Sequence, residues 1–317
     1  MRFRLCAGGL LALLFSSLLQ AASVEREIPG VARAGTPIEL IREGFEGTEG
    51  PLGLPDGSFI FTETRANRIT RITEDGRIAT YLEATNGANG LGLNAAGELV
   101  AVQTVAPKVG VLLPADKARA LAERYEGLPF QRPNDLVVGL KAGIFFTDPG
   151  PNPSAAAQED KTPRTKPGVF RILNGKLERV IEGIERPNGV QLSPDERTLY
   201  VANTLGEHVL AFALAVDGKI GPRRNFARLQ GWTKGDNGFS SGADGLAIDQ
   251  EGRLYVASNA GIEIFDAKGK ALGVIALPHR PQNLAFAGKD KKTLYIVGRG
   301  AAYRIRLDAA GFSGRAK

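Results

Sequence analysis

The stretch that decides the fold is Asn188-Gly189-Val190-Gln191-Leu192, in which a polar residue and a glycine precede an apolar run. The chain contains six versions of this phrase, usually with the glycine, at a spacing of roughly 40 to 55 residues. Each phrase reaches a turn, such as Pro194-Asp195, and a second apolar run follows. An oxygen-bearing side chain begins every phrase, and the six are Glu49, Asn89, Asn134, Asn188, Asp244 and Gln282.

Repeats of this length, built from short strands, are typical of a β-propeller with about four strands in each blade. Two-residue turns between apolar runs, such as Asp75-Gly76 and Asn174-Gly175, indicate the hairpins within blades. The only convincing helical pattern covers residues 115–125. The sequence therefore predicts an all-β fold, a six-bladed β-propeller with four-stranded blades around a central channel.

The ends of the chain divide it into three parts. Residues 1–23 have the pattern of a signal peptide, with Arg2 and Arg4 before a short apolar run and small residues at its end. Residues 24–35 are predicted to be a leader segment, and residues 36–317 the propeller. Residues 36–41 are predicted to form a strand that closes the ring by joining the last blade. Cys6 is the sole cysteine, so the exported chain would carry no disulfide.

Composition restricts the possible partners. The formal charge is +6, and the chain lacks a basic cluster interleaved with aromatic residues, so nucleic-acid binding is not supported. The signal peptide predicts a periplasmic or secreted protein with no membrane anchor after cleavage. A monomer that acts on a small molecule is the expected state.

The position of the six polar residues predicts a site. Every propeller blade presents its innermost strand to the channel, so residues at the same register form one ring around the axis. All six members carry a side-chain oxygen and two are carboxylates, which suits a hard cation such as Ca²⁺. The alternative is that these residues merely begin the inner strands, since Asn and Asp suit turns.

Five phrases, in order and spacing, resemble the markers of the gluconolactonase/regucalcin family, also known as the senescence marker protein family. They are Glu49-Gly50-Pro51, Arg132-Pro133-Asn134-Asp135, Phe146-Thr147-Asp148-Pro149, Arg186-Pro187-Asn188-Gly189 and Asp244-Gly245. The similarity extends from about Glu43 to the C-terminus. It implies a six-bladed propeller that hydrolyses sugar lactones with a divalent metal at the channel mouth.

The resemblance also implies roles for individual residues. The metal ligands would be Glu49, Asn134, Asn188 and Asp244. The metal would be Ca²⁺, with Zn²⁺, Mn²⁺ and Mg²⁺ as alternatives. Some relatives use fewer ligands, which leaves Asn134 as an alternative substrate contact.

Further residues are predicted around the ligands. Arg132 matches an arginine that contacts substrate in some members, and Asn89 is a second predicted substrate contact. Arg-Pro also precedes the ring residue in two other blades, which leaves a structural role open for Arg132. Asp148 and Glu63 end their strands near the mouth and are predicted to support the ligands. The proline-rich segment 149–167 is either a lid or a solvated connection.

Lactone hydrolysis needs a group that accepts the proton of the attacking water. Of the two ring carboxylates, Asp244 is predicted to be this base, while Glu49 mainly holds the metal. Two isolated histidines argue against a zinc site built from histidine and against a Cys/His nucleophile. The match of Gly238–Gly242 to a nucleophile motif lacks the strand and helix that the motif requires. The alternatives are a related organophosphate or aryl-ester hydrolase, and a ligand-binding propeller without enzymatic activity.

Overall fold

Short apolar strands pair with their sequence neighbours, and the chain folds into six antiparallel sheets of four strands each. The structure is a computed structural model that describes residues 22–151, 162–236 and 238–315. Neighbouring inner strands contact one another all the way round, and the innermost strand of the last blade closes the circle against that of the first. The predicted six-bladed β-propeller is thereby confirmed. The predicted signal peptide lies almost wholly outside the described residues.

The first strand, β1 (Ile38–Glu43), is the outer strand of the last blade. Blade one consists of β2 (Thr48–Gly53), β3 (Phe59–Glu63), β4 (Arg68–Ile72) and β5 (Ile78–Glu83). Blade two consists of β6 (Ala88–Leu93), β7 (Leu99–Gln103), β8 (Lys108–Leu113) and β9 (Arg119–Ala122), with a 3₁₀ turn at Ala115–Lys117. A short hairpin of β10 (Arg124–Tyr125) and β11 (Leu128–Pro129) follows.

Blade three consists of β12 (Leu136–Val138), β13 (Ile144–Asp148), β14 (Gly168–Leu173) and β15 (Lys176–Ile181). Blade four consists of β16 (Pro187–Leu192), β17 (Thr198–Asn203), β18 (His208–Ala213) and β19 (Arg224–Arg228), and the hairpin β20 (Thr233–Gly235) and β21 (Gly238–Ser240) follows it. Blade five consists of β22 (Leu246–Ile248), β23 (Leu254–Ser258), β24 (Gly261–Phe265) and β25 (Ala271–Ile275). Blade six consists of β26 (Asn283–Ala287), β27 (Thr293–Gly298), β28 (Ala301–Arg306) and β1.

The ring is closed by a strand from the other end of the chain, as predicted. Strand β1 pairs antiparallel with β28, with Ile38 opposite Ile305. The first and last blades are therefore joined by backbone hydrogen bonds as well as by packing. Ahead of this strand, the side chains of Val24, Ile28 and Val31 are buried against blades five and six.

The predicted helix over residues 115–125 is wrong. The segment makes only the 3₁₀ turn and then enters β9, which pairs with β8 as the outer strand of blade two. Its Ala, Lys and Arg residues favour a helix, but intrinsic propensity is a weak preference that tertiary pairing overrides. None of the helical segments in the described ranges is long or apolar enough to cross a membrane.

The core consists of apolar layers between neighbouring blades. In the layer between blades six and one, the rings of Phe59 and Tyr295 stack at a centroid distance of 4.4 Å. Phe61 packs beside them and is fully buried. Each large side chain buried in this way contributes about 1.5–3 kcal/mol. These layers hold the inner strands in fixed positions around the channel.

The C-terminal tail crosses the end of the channel where the tight turns lie. Gln250 donates its backbone N–H to Ala310 O (2.9 Å), and Phe312 donates its own to Ile248 O (3.1 Å). The buried guanidinium of Arg315 donates from Nη2 to Leu192 O at 2.5 Å. The tail therefore connects blades four and five at this end, and the ring of polar residues lies at the other.

Candidate functional site

The structure places the six polar residues at equivalent positions, at the start of the innermost strand of each blade. Glu49, Asn89 and Asn188 lie in the first residues of β2, β6 and β16. Asn134, Asp244 and Gln282 stand one or two residues before β12, β22 and β26. The common register predicted from the sequence thus produces a ring at one mouth of the channel.

Glycine in the phrase allows this ring to be narrow. A Cβ atom on Gly50, whose φ is +49°, would lie 1.8 Å from Asn89 O of the next blade. A Cβ atom on Gly189 would lie 2.1 Å from Asp244 O. Any larger residue at these positions would force neighbouring blades apart. Glycine at the second position of the phrase is therefore required where neighbouring blades approach this closely, as at Gly50 and Gly189.

Hydrogen bonds between blades fix the backbone that carries the ring. Gly90 donates its N–H to Asn134 O (2.9 Å), and Gly245 donates its own to Gln282 O (2.8 Å). The hydroxyl of Thr147 donates to Asn188 O (2.6 Å). These three backbone carbonyls accept hydrogen bonds from neighbouring blades, so the side chains of the ring are the groups available to bind a ligand in the channel.

Four ring residues carry a buried side-chain oxygen that accepts no hydrogen bond in the described part of the chain. These atoms are Oδ1 of Asn89, Asn134, Asn188 and Asp244. A buried acceptor without a partner costs about 1–3 kcal/mol, and native proteins contain few of them. Four in consecutive blades, two to five, indicate a site built to bind something that these oxygens can contact.

The amide of Asn188 is held in one orientation. Its Nδ2 donates to Thr204 Oγ1 at 3.0 Å, and the Thr204 hydroxyl donates in turn to Ala243 O at 2.7 Å. These two hydrogen bonds turn the Nδ2 atom of Asn188 toward Thr204 and leave its Oδ1 atom without a partner. Thr204 was not predicted from the sequence, since it lies in the segment after β17 and outside the repeated phrase.

Glu49 is bound by blade six across the seam of the ring. Its Oε1 accepts from Gln282 Nε2 at 3.0 Å, and its Oε2 accepts from Asn283 Nδ2 at 3.4 Å. Gln282 Oε1 accepts the backbone N–H of Arg299 at 2.8 Å. Gln282 therefore differs from the other ring amides, because both ends of its side chain have partners and its role is to position Glu49.

The electrostatics of the ring centre on Asp244. Burial raises the pKa of its carboxyl well above the ordinary value, and the negative charges of Glu49 and Asp135 raise it further, while Arg280 and Arg299 act in the opposite direction. Glu49 and Asp135 thus act on Asp244 through their charges. A cation bound among them would favour the charged form of Asp244.

Asp135 is a member of this group that the sequence-based prediction did not single out. It is fully buried, and its Oδ1 and Oδ2 accept from the backbone N–H groups of Leu136 (2.9 Å) and Val190 (3.3 Å). The signal was present in the phrase, since Asp135 occupies the position where four other blades have glycine. Asn283 occupies the same position in blade six, opposite blade three.

The ring fits a hard divalent cation. Within the described residues, no three His, Cys, Asp or Glu side chains come together as a metal cluster, so the ring is rich in amides rather than carboxylates. Oxygen donors from Asn and Asp are those that Ca²⁺ takes. The unpartnered oxygens of Asn134, Asn188 and Asp244, with the carboxylate of Glu49 nearby, form a suitable donor set.

Asp148 and Glu63 support the backbone that leads to the ring rather than the ring side chains. Asp148 accepts from the N–H groups of Gln131 (2.7 Å) and Arg132 (3.0 Å), and burial raises the pKa of its carboxyl despite these bonds. Burial also acts to raise the pKa of Glu63, but bonds from Arg68 and Thr70 and the N–H of Glu46 hold it below the ordinary value. Both residues fix the segment before a ring residue of their own blade.

Other predicted features have simpler roles. Arg132 is partly buried beside Asn134 on the segment that Asp148 holds. His208 and His279 lie away from the ring, the latter 2.5 Å from the Tyr303 hydroxyl. Most of the segment 149–167 lies outside the described residues.

The match to a nucleophile motif at 238–242 is not a catalytic serine site. Strand β21 holds its first part in a hairpin. The hydroxyls of Ser240 and Ser241 donate to the carbonyl oxygens of Thr204 (2.8 Å) and Asn203 (3.1 Å). Both serines therefore fasten the hairpin to blade four.

Comparison with known proteins adds independent observations. A family model described as "SMP-30/Gluconolactonase/LRE-like region" matches residues 47–299. A gluconolactonase of Zymomonas mobilis is 28% identical over an alignment of 306 positions, which covers 90% of this chain and 85% of that protein. The structure of a gluconolactonase from Xanthomonas campestris superposes with a TM-score of 0.76 at 26% identity, over 90% of this chain and 94% of the other. A calcium-binding regucalcin from Agrobacterium tumefaciens superposes with a TM-score of 0.68 over 86% and 95% of the two chains, and at 17% identity it supports the fold alone.

Proposed function

We propose, because the chain belongs to the SMP-30/gluconolactonase/LRE-like family, that it hydrolyses aldonolactones such as gluconolactone with a divalent cation held at the ring. The resemblance predicted from five marker phrases is confirmed, and the chain is a gluconolactonase-like lactone hydrolase. The proposal of a bound cation rests on the set of four buried, unpartnered side-chain oxygens at the channel mouth.

The residues that would hold the cation are Glu49, Asn134, Asn188 and Asp244. Their donors are all oxygen, which favours Ca²⁺ and admits Mg²⁺ or Mn²⁺. When bound, the cation supplies Lewis-acid stabilisation for the negative charge that develops on a lactone carbonyl oxygen. Asn89, whose Oδ1 is also unpartnered, contacts a substrate hydroxyl in this proposal.

Asp244 is the proposed general base. A base must be charged to accept a proton, and burial and the neighbouring carboxylates oppose this by raising the pKa of Asp244. A cation held at the ring acts in the opposite direction and favours the charged form. It accepts a proton from the water that attacks the lactone carbonyl carbon, and donates it to the ring oxygen as the bond from that oxygen to the carbonyl carbon breaks. The products are a hydroxyl group and a carboxylic acid, and ionisation of the acid releases a proton. Arg132, held by Asp148 through its backbone N–H, orients the substrate from blade three.

Export is a further part of the proposal. Arg2 and Arg4 precede an apolar run that ends in small residues, which is the pattern of a signal peptide. Cell fractionation of a tagged protein tests this point, since retention of the full-length chain in the cytoplasm would contradict it.

The deciding experiment measures proton release from D-glucono-1,5-lactone by the purified protein, corrected for spontaneous hydrolysis. We expect turnover that a chelator abolishes and Ca²⁺ restores. An aryl ester and an organophosphate are assayed in parallel, because related propellers act on them. Turnover of the organophosphate alone would contradict the proposal, and so would lactone turnover that is indifferent to chelation.

A further inference from the structure

Four arginines surround the mouth around Asp244. Arg132 and Arg186 stand two residues before the ring residues of blades three and four, and Arg280 does so in blade six. Arg299 follows β27 and donates its N–H to Gln282 Oε1 at 2.8 Å. Blade five, which carries Asp244, lies between blades four and six. The base is therefore flanked by one arginine pair on each side.

The charges of these arginines act on one another and on the base. Burial and the neighbouring charge of Arg132 lower the pKa of Arg186, and burial and Arg299 lower that of Arg280. Asp244 opposes this effect on both Arg186 and Arg280. The members of each pair therefore repel one another across the mouth, which favours a bound anion that neutralises them.

Within residues 22–151, 162–236 and 238–315, none of the four mouth arginines lies within ion-pair distance of a carboxylate. Arg186 Nη1 donates to Pro151 O (3.2 Å), and Arg280 Nη1 donates to Asn259 Oδ1 (2.9 Å). A guanidinium has five N–H donors, so one such bond leaves most of them available. These neutral contacts orient the two side chains without compensating their charge.

Several arginines on the blades are instead paired with a carboxylate. Arg68 binds Glu63 with two bonds of 2.8 and 2.9 Å, and Arg119 and Arg304 bind Glu98 and Glu39 in the same two-bonded manner. Bidentate pairing with a carboxylate is the arrangement that guanidinium groups favour. Among the described residues the mouth arginines lack such a carboxylate partner, so their charge is available to a ligand.

We propose that the mouth arginines bind an anionic group of the substrate, so that the preferred substrates are lactones of anionic sugars rather than neutral aldonolactones. The group is a carboxylate, as in an aldarolactone, or a phosphate, as in a phosphorylated aldonolactone. This inference rests on the proposed lactone hydrolysis at Asp244 and specifies its substrate class. A lactone ring placed at Asp244 has an arginine pair on either side to receive the charged end.

The experiment compares matched pairs of lactones that differ only in the charged group. These are D-glucono-1,4-lactone against D-glucaro-1,4-lactone, and D-glucono-1,5-lactone against its 6-phosphate. We expect kcat/KM to be at least about tenfold higher for one charged member, and the preference to shrink with added NaCl because salt screens exposed charges. The pair that shows the preference identifies carboxylate or phosphate.

Variants then assign the preference to residues. Arg186→Gln and Arg280→Gln are expected to raise KM for the charged lactone about tenfold or more and to reduce the charged-to-neutral ratio. Arg77→Gln, which lies at a β4–β5 turn and is 81% exposed, is the matched control and should leave the ratio unchanged. A ratio that Arg77→Gln reduces equally would overturn the assignment.

Failure of this inference is separable from failure of the proposed function. Efficient hydrolysis of neutral lactones without a preference for charge would overturn the inference and leave the proposed function standing. If no lactone is hydrolysed, calorimetry in Ca²⁺ tests anion binding directly by comparing the affinities for D-glucarate and D-gluconate, which differ by one carboxylate. Equal affinity for the two acids, or a difference that persists in Arg280→Gln, would overturn the inference.

Discussion

Gln282 and Glu49 are 233 positions apart in the chain, yet their side chains meet in a 3.0 Å hydrogen bond across the seam of the ring. The bond exists because β1 joins β28 and brings the first blade against the last. Gln282 is itself fixed by the N–H of Arg299. The position of a proposed cation ligand therefore depends on the closure of the propeller.

The first prediction tests this dependence. In Gln282→Ala the carboxylate of Glu49 loses its positioning donor, and we expect Ca²⁺ affinity to fall about 10–100-fold while the fold is retained, as is usual when a ligand's supporting residue is removed. Isothermal titration calorimetry measures the affinity. Gln250→Ala, at an exposed turn near the other end of the channel, is the control. Equal affinity in the two variants would contradict the role of Gln282.

The second prediction concerns an amide ligand. Removal of the unpartnered Oδ1 in Asn188→Ala should abolish most of the rise in Tm that Ca²⁺ gives the wild type, because stabilisation by a ligand follows its affinity. Thr204→Val, which keeps the amide but removes the hydroxyl that orients it, should give an intermediate rise. Thermal unfolding at several Ca²⁺ concentrations measures both, and a full response in Asn188→Ala would exclude it as a ligand.

The propeller and its ring could be predicted because both follow from register. A phrase repeated in every blade places its first residue at the same height along the channel. Glu49 and Asp244 were therefore expected to lie at the same mouth, although they are 195 positions apart in the sequence. The outer strand β9 was missed because its local composition favours a helix while its pairing with β8 is a tertiary effect. Contacts made by single residues outside the repeat, such as Thr204 with Asn188 and Arg315 with Leu192, have no pattern that sequence reasoning could find.

The third prediction is a pH dependence of stability. Two bonds from Arg119 and one from Asn94 lower the pKa of Glu98 from 4.5 to about 2. Because the folded pKa is depressed, the stabilisation is present above pH 4.5 and is lost as pH falls through about 2. Glu98→Gln should therefore be less stable than the wild type at neutral pH, and the difference should shrink over that acidic range.

Urea unfolding at a series of pH values measures this difference. Glu123→Gln, at an exposed position of the same blade, is the control. A difference between Glu98→Gln and the wild type that stays constant down to pH 2 would show that the loss comes from packing rather than from charge.

The fourth prediction concerns the tail that crosses the end of the channel. Arg315 is 7% exposed and donates to the carbonyl oxygens of Leu192 (2.5 Å) and Ser193 (3.2 Å). Arg315→Ala removes charged donors from buried acceptors and should lower the free energy of unfolding by about 1–3 kcal/mol. Chemical denaturation measures it. Because the ring lies at the other mouth, Ca²⁺ affinity should be unchanged, and a loss of affinity would show that the two ends are coupled.

The last prediction concerns Asp244, whose pKa is raised by burial and by Glu49 and Asp135. For a carboxyl with a raised folded pKa, the favourable contribution is present below the unfolded value of 3.8 and is lost as pH rises through the folded pKa. At neutral pH in a chelator, Asp244→Asn should therefore be more stable than the wild type, because it removes a costly charge. With saturating Ca²⁺ the order should reverse, since the variant loses a charged ligand.

Activity completes the test of Asp244. Loss of a general base costs about 10²–10⁴-fold in rate, so Asp244→Asn should lose lactone turnover even at Ca²⁺ concentrations that saturate it. Asp116→Asn, at an exposed position in blade two, is the control for both measurements. Thermal scans with chelator and with Ca²⁺ separate the ligand role from the base role: a reversed stability order with full activity would leave Asp244 as a ligand only, and the base would have to be sought among the other groups at the mouth.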